Sequence, residues 1–150
     1  MGIPKVSLLY YLEKFPKIGK KSSASAFKWI EREKFKSVDE CYNSLRKDGF
    51  KIYASHISDD AKEIFDLDFT EKVAIVLGNE HRGVSDEAVK FADERFLIPM
   101  YGMVQSLNVS VSAAIIIYEA LRQRKSSGMY DTPNYSLKEI EDLIIDWRKK

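Results

Sequence analysis

Residues 72–77 (KVAIVL) form an almost unbroken apolar run, rich in β-branched residues and too short for an independent helix. A strand of that kind needs cover on both faces, as in a parallel sheet between two layers of helices. The rest of the chain supplies matching partners. Residues 5–12 (KVSLLYYL), 50–56 and 95–98 (RFLI) read as further strands. Residues 37–49 carry the punctuation of a helix: Ser37 and Glu40 make a capping box, Val38, Cys41 and Leu45 share a face, and Gly49 closes it. A short helix is expected at 58–65 and another at 85–92, capped by Ser85 with Asp86 and Glu87 in its first turn. Residues 108–124 are apolar almost all round at first, which predicts a central helix whose LRQRK end places cations at its negative pole. After a linker containing Pro133, residues 136–147 combine a Ser136–Glu139 capping box with a stripe of Leu137, Ile140, Leu143, Ile144 and Trp147. Strands alternating with helices predict a right-handed parallel α/β sheet with its ligand at the carboxyl ends of the strands.

Length and composition narrow the class of protein. A chain of 150 residues fits one domain, and 45% hydrophobic with 31% charged residues excludes disordered and low-complexity classes. No apolar run approaches the ~20 residues that span a bilayer, and the first residues do not read as a signal peptide, so a cytoplasmic location and no membrane are expected. Cys41 alone makes no internal disulfide, and with only His56 and His81 beside it no metal site is expected. Cys41 reads as core rather than nucleophile. The overall charge of +1 conceals an asymmetry, since residues 1–51 carry +6 and residues 52–150 carry −5. Lys14, Lys17, Lys20, Lys21, Lys28, Lys34 and Lys36 are interleaved with Phe15, Phe27, Trp29 and Phe35, a pattern suited to phosphates and stacked bases. A solvated face with hydrophobic anchors would use the same letters. Residues 13–25 read as a loop.

Two segments carry the chemistry. Residues 78–83 (GNEHRG) leave the 72–77 strand with a glycine at each end and Glu80 and Arg82 between them. Residues 98–110 (IPMYGMVQSLNVS) leave the next strand and bring Gln105, Ser106, Asn108 and Ser110 to a helix N-terminus, where free backbone N–H groups bind polar or anionic ligands. A plain polar turn explains the first, and a helix cap with methionines filling core explains the second.

Taken together, VAIVLGNEHRGVS and FLIPMYGMVQSLNVSVSAAIIIYEALRQR resemble motifs two and three of the SpoU/TrmH-type RNA 2′-O-ribose methyltransferases, in the α/β-knot superfamily. Weaker similarity runs through SSASAFKW, LRKDGFKIYAS and the tail GMYDTPNYSLKEIEDLIIDWRK, so that it covers roughly 2–148. The tail is most like that of the members acting on tRNA guanosine in the D-loop. The resemblance implies a parallel α/β sheet with helices on both faces and a C-terminal trefoil knot. It also implies S-adenosylmethionine as cofactor, RNA as partner (tRNA favoured, rRNA open), and a homodimer packed through the knot helix 108–124. Leu77, Gly78, Ile98, Met100, Ser106, Leu107 and Asn108 would touch the methyl donor, with Gly102 allowing a tight loop. Glu80, Ser106 and Asn108 match the polar active-site positions: Glu80 and Asn108 to orient loops or substrate, Ser106 near the reacting ribose or phosphate. Lys17, Lys20, Lys21 and Lys28 would meet RNA.

One departure stands against these matches. The family's first strand and its motif-one asparagine and arginine have no counterpart, because residues 1–4 align just after that motif. The expectation is therefore a single methyltransferase domain over 1–150 lacking its N-terminal strand, with a C-terminal extension helix in 129–150. Three readings stay open: a fragment, a member that binds cofactor or RNA without catalysing, or a partner subunit supplying the arginine. Arg32 and Arg82 are the substitutes within the chain, neither in a matching context. An ordinary Rossmann nucleotide binder is disfavoured, because no G-x-G-x-x-G follows any strand.

Overall fold

The computed structural model describes residues 5–9, 31–79, 82–103, 106–132 and 135–148. Within them lie β1 (Lys5–Leu9), β2 (Glu31–Phe35), α1 (Val38–Lys47), β3 (Lys51–Ser55), β4 (Lys62–Glu63), a 3₁₀ turn (Ile64–Asp66), β5 (Val73–Val76), α2 (Asp86–Phe91), β6 (Glu94–Leu97), α3 (Val109–Ser126) and α4 (Leu137–Arg148). Four strands form a parallel sheet in the order β4-β6-β3-β5, while β1 and β2 pair in parallel as a two-stranded sheet.

The apolar run that predicts double cover has it. Along β5, Ala74 and Val76 pack against a cluster of Val38, Cys41, Tyr42, Ile52, Ala54, Val84, Ala88 and Val89, contributed by α1, α2 and β3. Val73, Ile75 and Leu77 point the other way, onto Tyr53, Ile64, Leu67, Phe69, Phe96 and Ile116. Successive residues of a strand face opposite sides, so an all-apolar strand is stable only where both sides are filled. Here α1 and α2 fill one side, and α3 with the 3₁₀ turn fills the other.

Local signals set the helix ends. Ser37 Oγ accepts from Glu40 N at 3.1 Å, while the Glu40 carboxylate reaches back to Lys36 N, one residue before the position a capping box uses. Ser136 and Glu139 close the reciprocal box on α4, with Ser136 N donating at 2.7 Å and Glu139 N at 3.3 Å. No residue of α4 is buried: Ile140 and Leu143 of its apolar stripe are half-buried, and Leu137, Ile144 and Trp147 are exposed. Cys41 is core, and its thiol is pushed up to about 11, first by burial and then by Glu33 and Glu40.

Two sequence expectations need correction. Residues 58–65 are not a helix: Lys62 and Glu63 pair with Phe96 and Leu97 as the outer strand of the sheet, and the 3₁₀ turn then drops Ile64 into the core at 0% exposure. Backbone pairing with β6 and the 2.7 Å Lys62–Glu94 ion pair outweigh local helix propensity there. The second strand, EREKF, has no sequence signature because its charged residues line a largely exposed ribbon; parallel pairing with β1 supplies the order. Residues 10–30, with the expected loop and Lys17, Lys20, Lys21 and Lys28, lie outside the described residues.

Candidate functional site

In a parallel sheet the strand carboxyl ends release loops from one edge, and β3, β5 and β6 end together there. Val76 pairs with Ala54, and Phe96 with Ser55, so Leu77 and Ile98, each one residue beyond its strand, flank the end of β3. Both are half-buried against the core on the α3 side of the sheet. Ser55 and His56 stand between them, with His56 N donating to Phe96 O at 2.9 Å. The sequence reading ended a strand at His56 without assigning either residue to the site; the rule that ligands gather at strand carboxyl ends was signal enough to include them.

The turn after β5 closes on itself. Gly83 N donates to Asn79 O at 2.9 Å, and Arg82 N to Asn79 Oδ1 at 2.7 Å, with Gly83 at φ +67°. This folds the backbone of Gly83 and Val84 onto Gly78 so closely that a Cβ on Gly78 would overlap it. Only glycine fits there. Glu80 lies outside the described residues.

The loop after β6 differs. Met100 is half-buried, whereas Tyr101, Gly102, Met103, Ser106, Leu107 and Asn108 are exposed, Met103 completely. Methionine as core filler is thus ruled out for Met103. A Cβ on Gly102 would meet nothing within 4 Å among the described residues, and its φ is outside the left-handed region. Asn108 is the N-cap of α3: its Oδ1 accepts from Ser110 N at 2.9 Å and from the Ser110 hydroxyl. That side-chain oxygen orders the first helical turn, and Ser106 and Leu107 immediately precede the helix.

A cleft of about 510 Å³ opens elsewhere, at the amino ends of β3 and β6, among Arg46, Phe50, Lys51, Tyr53, Asp93 and Glu94. Its charges serve the fold. Arg46 pairs with Asp93 at 2.9 Å, Asp93 Oδ2 accepts from Ile52 N at 2.7 Å, and Lys51 pairs with Glu71. Among the described residues no cluster of His, Cys, Asp or Glu suits a metal, and no helix is long and apolar enough to cross a membrane.

The elements after β5 and β6 therefore supply a tightly closed turn at Gly78, two half-buried aliphatic side chains and a capped helix N-terminus. Comparison with known proteins gives that edge a context. The profile of the SpoU rRNA Methylase family matches residues 5–118. The tRNA (guanosine(18)-2′-O)-methyltransferase of Thermus thermophilus is 40% identical over 129 residues, covering 86% of this chain and 66% of that protein. The chain thus spans about two thirds of that relative's length. Among solved structures, the A. aeolicus TrmH/SpoU tRNA modifying enzyme superposes with a TM-score of 0.85 at 38% identity, over 95% of this chain and 73% of that one. The SpoU methyltransferase AviRb from Streptomyces viridochromogenes, in complex with AdoMet, superposes with a TM-score of 0.58 at 28% identity, over 65% of this chain and 38% of that one.

Proposed function

This chain belongs to the SpoU rRNA methylase family, and on that premise we propose that it binds S-adenosylmethionine and serves methyl transfer to a ribose 2′-hydroxyl of tRNA, at guanosine 18. The match carries this reading because it spans both loops and the cap of α3, in a chain 40% identical to an enzyme named for that reaction. The cofactor fits the residues present. Gly78 lets the turn fold back on itself, which sets its backbone beside the aliphatic surface of Leu77 and Ile98, a mixed polar and apolar edge suited to such a ligand.

When bound, S-adenosylmethionine supplies an electrophilic methyl group for in-line displacement. The chain's own part is to hold and orient. Backbone groups of Leu77, Gly78, Ile98 and Met100 would clasp the donor, with Ser106, Leu107 and Asn108 closing it from the α3 side and Gly102 giving backbone access. Asn108 would keep the helix terminus ordered, Glu80 would orient the turn or the substrate, and Ser106 would contact the ribose or phosphate. Lys17, Lys20, Lys21 and Lys28 would contact RNA phosphates, so affinity should fall steeply with salt. The segment after β6 would thread through the preceding loops as a trefoil knot, and a crystal structure tracing it past them would refute this. The exposed Val111, Ile115 and Tyr118 of α3, with Ile144, Ile145 and Trp147 of α4, suit burial against a second copy in a cytoplasmic homodimer.

A 2′-hydroxyl needs help to lose its proton. A second reading is cofactor or RNA binding without transfer. The two separate cleanly. Calorimetry with S-adenosylmethionine should show binding under the first and under cofactor binding without transfer, and failure to bind refutes both of these and leaves RNA binding alone. Labelled methyl transfer to tRNA, with 2′-deoxyguanosine at position 18 as control and an rRNA fragment as the alternative acceptor, should occur only under the first.

A further inference from the structure

Only two residues of α3 are buried, Ile116 and Glu119. A buried carboxylate in mid-helix must be compensated. Glu119 accepts from Arg122 Nε at 2.8 Å and Nη2 at 2.7 Å, and from Gln123 Nε2 at 2.9 Å. Gln123 does more: its Nε2 donates to Leu67 O at 2.9 Å and its Oε1 accepts from Phe69 N at 2.9 Å. Arg124 extends the contact, with Nε donating to Phe69 O at 2.7 Å and Nη2 to Glu71 O at 2.9 Å.

A carbonyl at one residue and an N–H two residues later are the pair that a neighbouring peptide satisfies in a parallel ladder. The Gln123 amide takes that peptide's place on the segment entering β5. From there the helix runs back along the strand, with Ala120 and then Ile116 against the cluster that Val73, Ile75 and Leu77 also line. Gln123 to Asn108 spans about 22 Å of helix. Phe69 to Leu77 spans at most about 26 Å of extended chain. Pinning the helix at the entrance of β5 therefore sets where its N-terminus stands relative to the turn at the exit.

We propose that Gln123 is a positioning residue for the candidate site: its amide, oriented by Glu119 and bonded to Leu67 and Phe69, fixes the register of α3 and so places Leu107 and Asn108 opposite Gly78. The apolar contacts of α3 alone do not fix that register, since its first half is largely exposed. Glutamine suits the role because it is neutral and carries both a donor and an acceptor.

Hydrogen exchange on the unliganded protein tests this directly. In Gln123→Met, amides at 110–113 should exchange at least fivefold faster while those in α1 and β3 stay within twofold. No change at 110–113, or equal acceleration in all three regions, overturns the proposal, the latter outcome being a general loss of stability. If that variant does not fold, Glu119→Gln keeps the backbone bonds but loses the orienting charge. It should show the same selective acceleration, smaller in size, and its absence overturns the proposal equally. The cofactor arm rests on the functional reading above. S-adenosylmethionine should bind Gln123→Met about tenfold more weakly than wild type, and equal affinity refutes the positioning role. A wild type that does not bind refutes the functional reading, while exchange still decides this one.

Discussion

The turn after β5 and the loop after β6 leave the same edge of the sheet but are held in opposite ways. The first is fixed by its own local hydrogen bonds: Asn79 accepts from Arg82 N and Gly83 N, and the returning backbone lies where a Gly78 side chain would be. The second is exposed at Tyr101, Gly102 and Met103 and again at Ser106, Leu107 and Asn108, and takes its place from the helix that follows, itself pinned far away by Gln123. A binding edge can thus pair a wall made locally with a wall placed from a distance, and the two should fail differently.

Gly78→Ala should do the most damage. The new Cβ overlaps backbone, which cannot yield as a side chain can, so a cost of about 3 kcal/mol or more is expected. In a melt that is a fall of roughly 6–12 °C, with loss of S-adenosylmethionine binding by calorimetry; a variant that melts and binds like wild type would show the turn to be adaptable. Asn108→Ala removes the cap of α3 and should cost about 1 kcal/mol. Its affinity for the cofactor should drop further than its stability, because the loop depends on that helix end.

The acid limit comes next. The paired Arg122, then Gln123, hold the Glu119 carboxyl below the ordinary glutamate range against its burial. A carboxyl depressed in the folded state adds stability above its unfolded pKa and gives it up as pH falls through the folded value. Protection of α3 should therefore weaken below about pH 4.5, the unperturbed value, and Glu119→Gln should abolish that component in an exchange titration. Gly102→Ala should change least, within about 0.5 kcal/mol, because its Cβ meets open space. If its melting temperature holds while cofactor affinity falls, the glycine serves ligand approach rather than loop shape.

Much of this was legible beforehand. The double-sided run at 72–77, the caps at Ser37, Ser85 and Asn108, and the two loops between strand and helix all follow from short-range patterns that the structure repeats. The 58–65 segment was not legible, because its residues suit a helix locally and become a strand only when β6 offers an edge to pair with. The clamp was equally hidden. Glu119 and Gln123 sit among cations in EALRQRK, a helix end read only for its charges at the negative pole, and residues 67–69 bring the two backbone groups that give Gln123 its partners.

Sequence alone determined most of the elements and where the loops between strand and helix fall, since caps, period and turn residues act over a few neighbours. The tertiary structure decided how those loops are held. Whether a glycine is indispensable, as at Gly78, or dispensable to the fold, as at Gly102, depends on what atoms arrive from elsewhere in the chain. So does whether a glutamine is surface or clamp, because hydrogen-bond partners many residues away are set by packing and not by local preference.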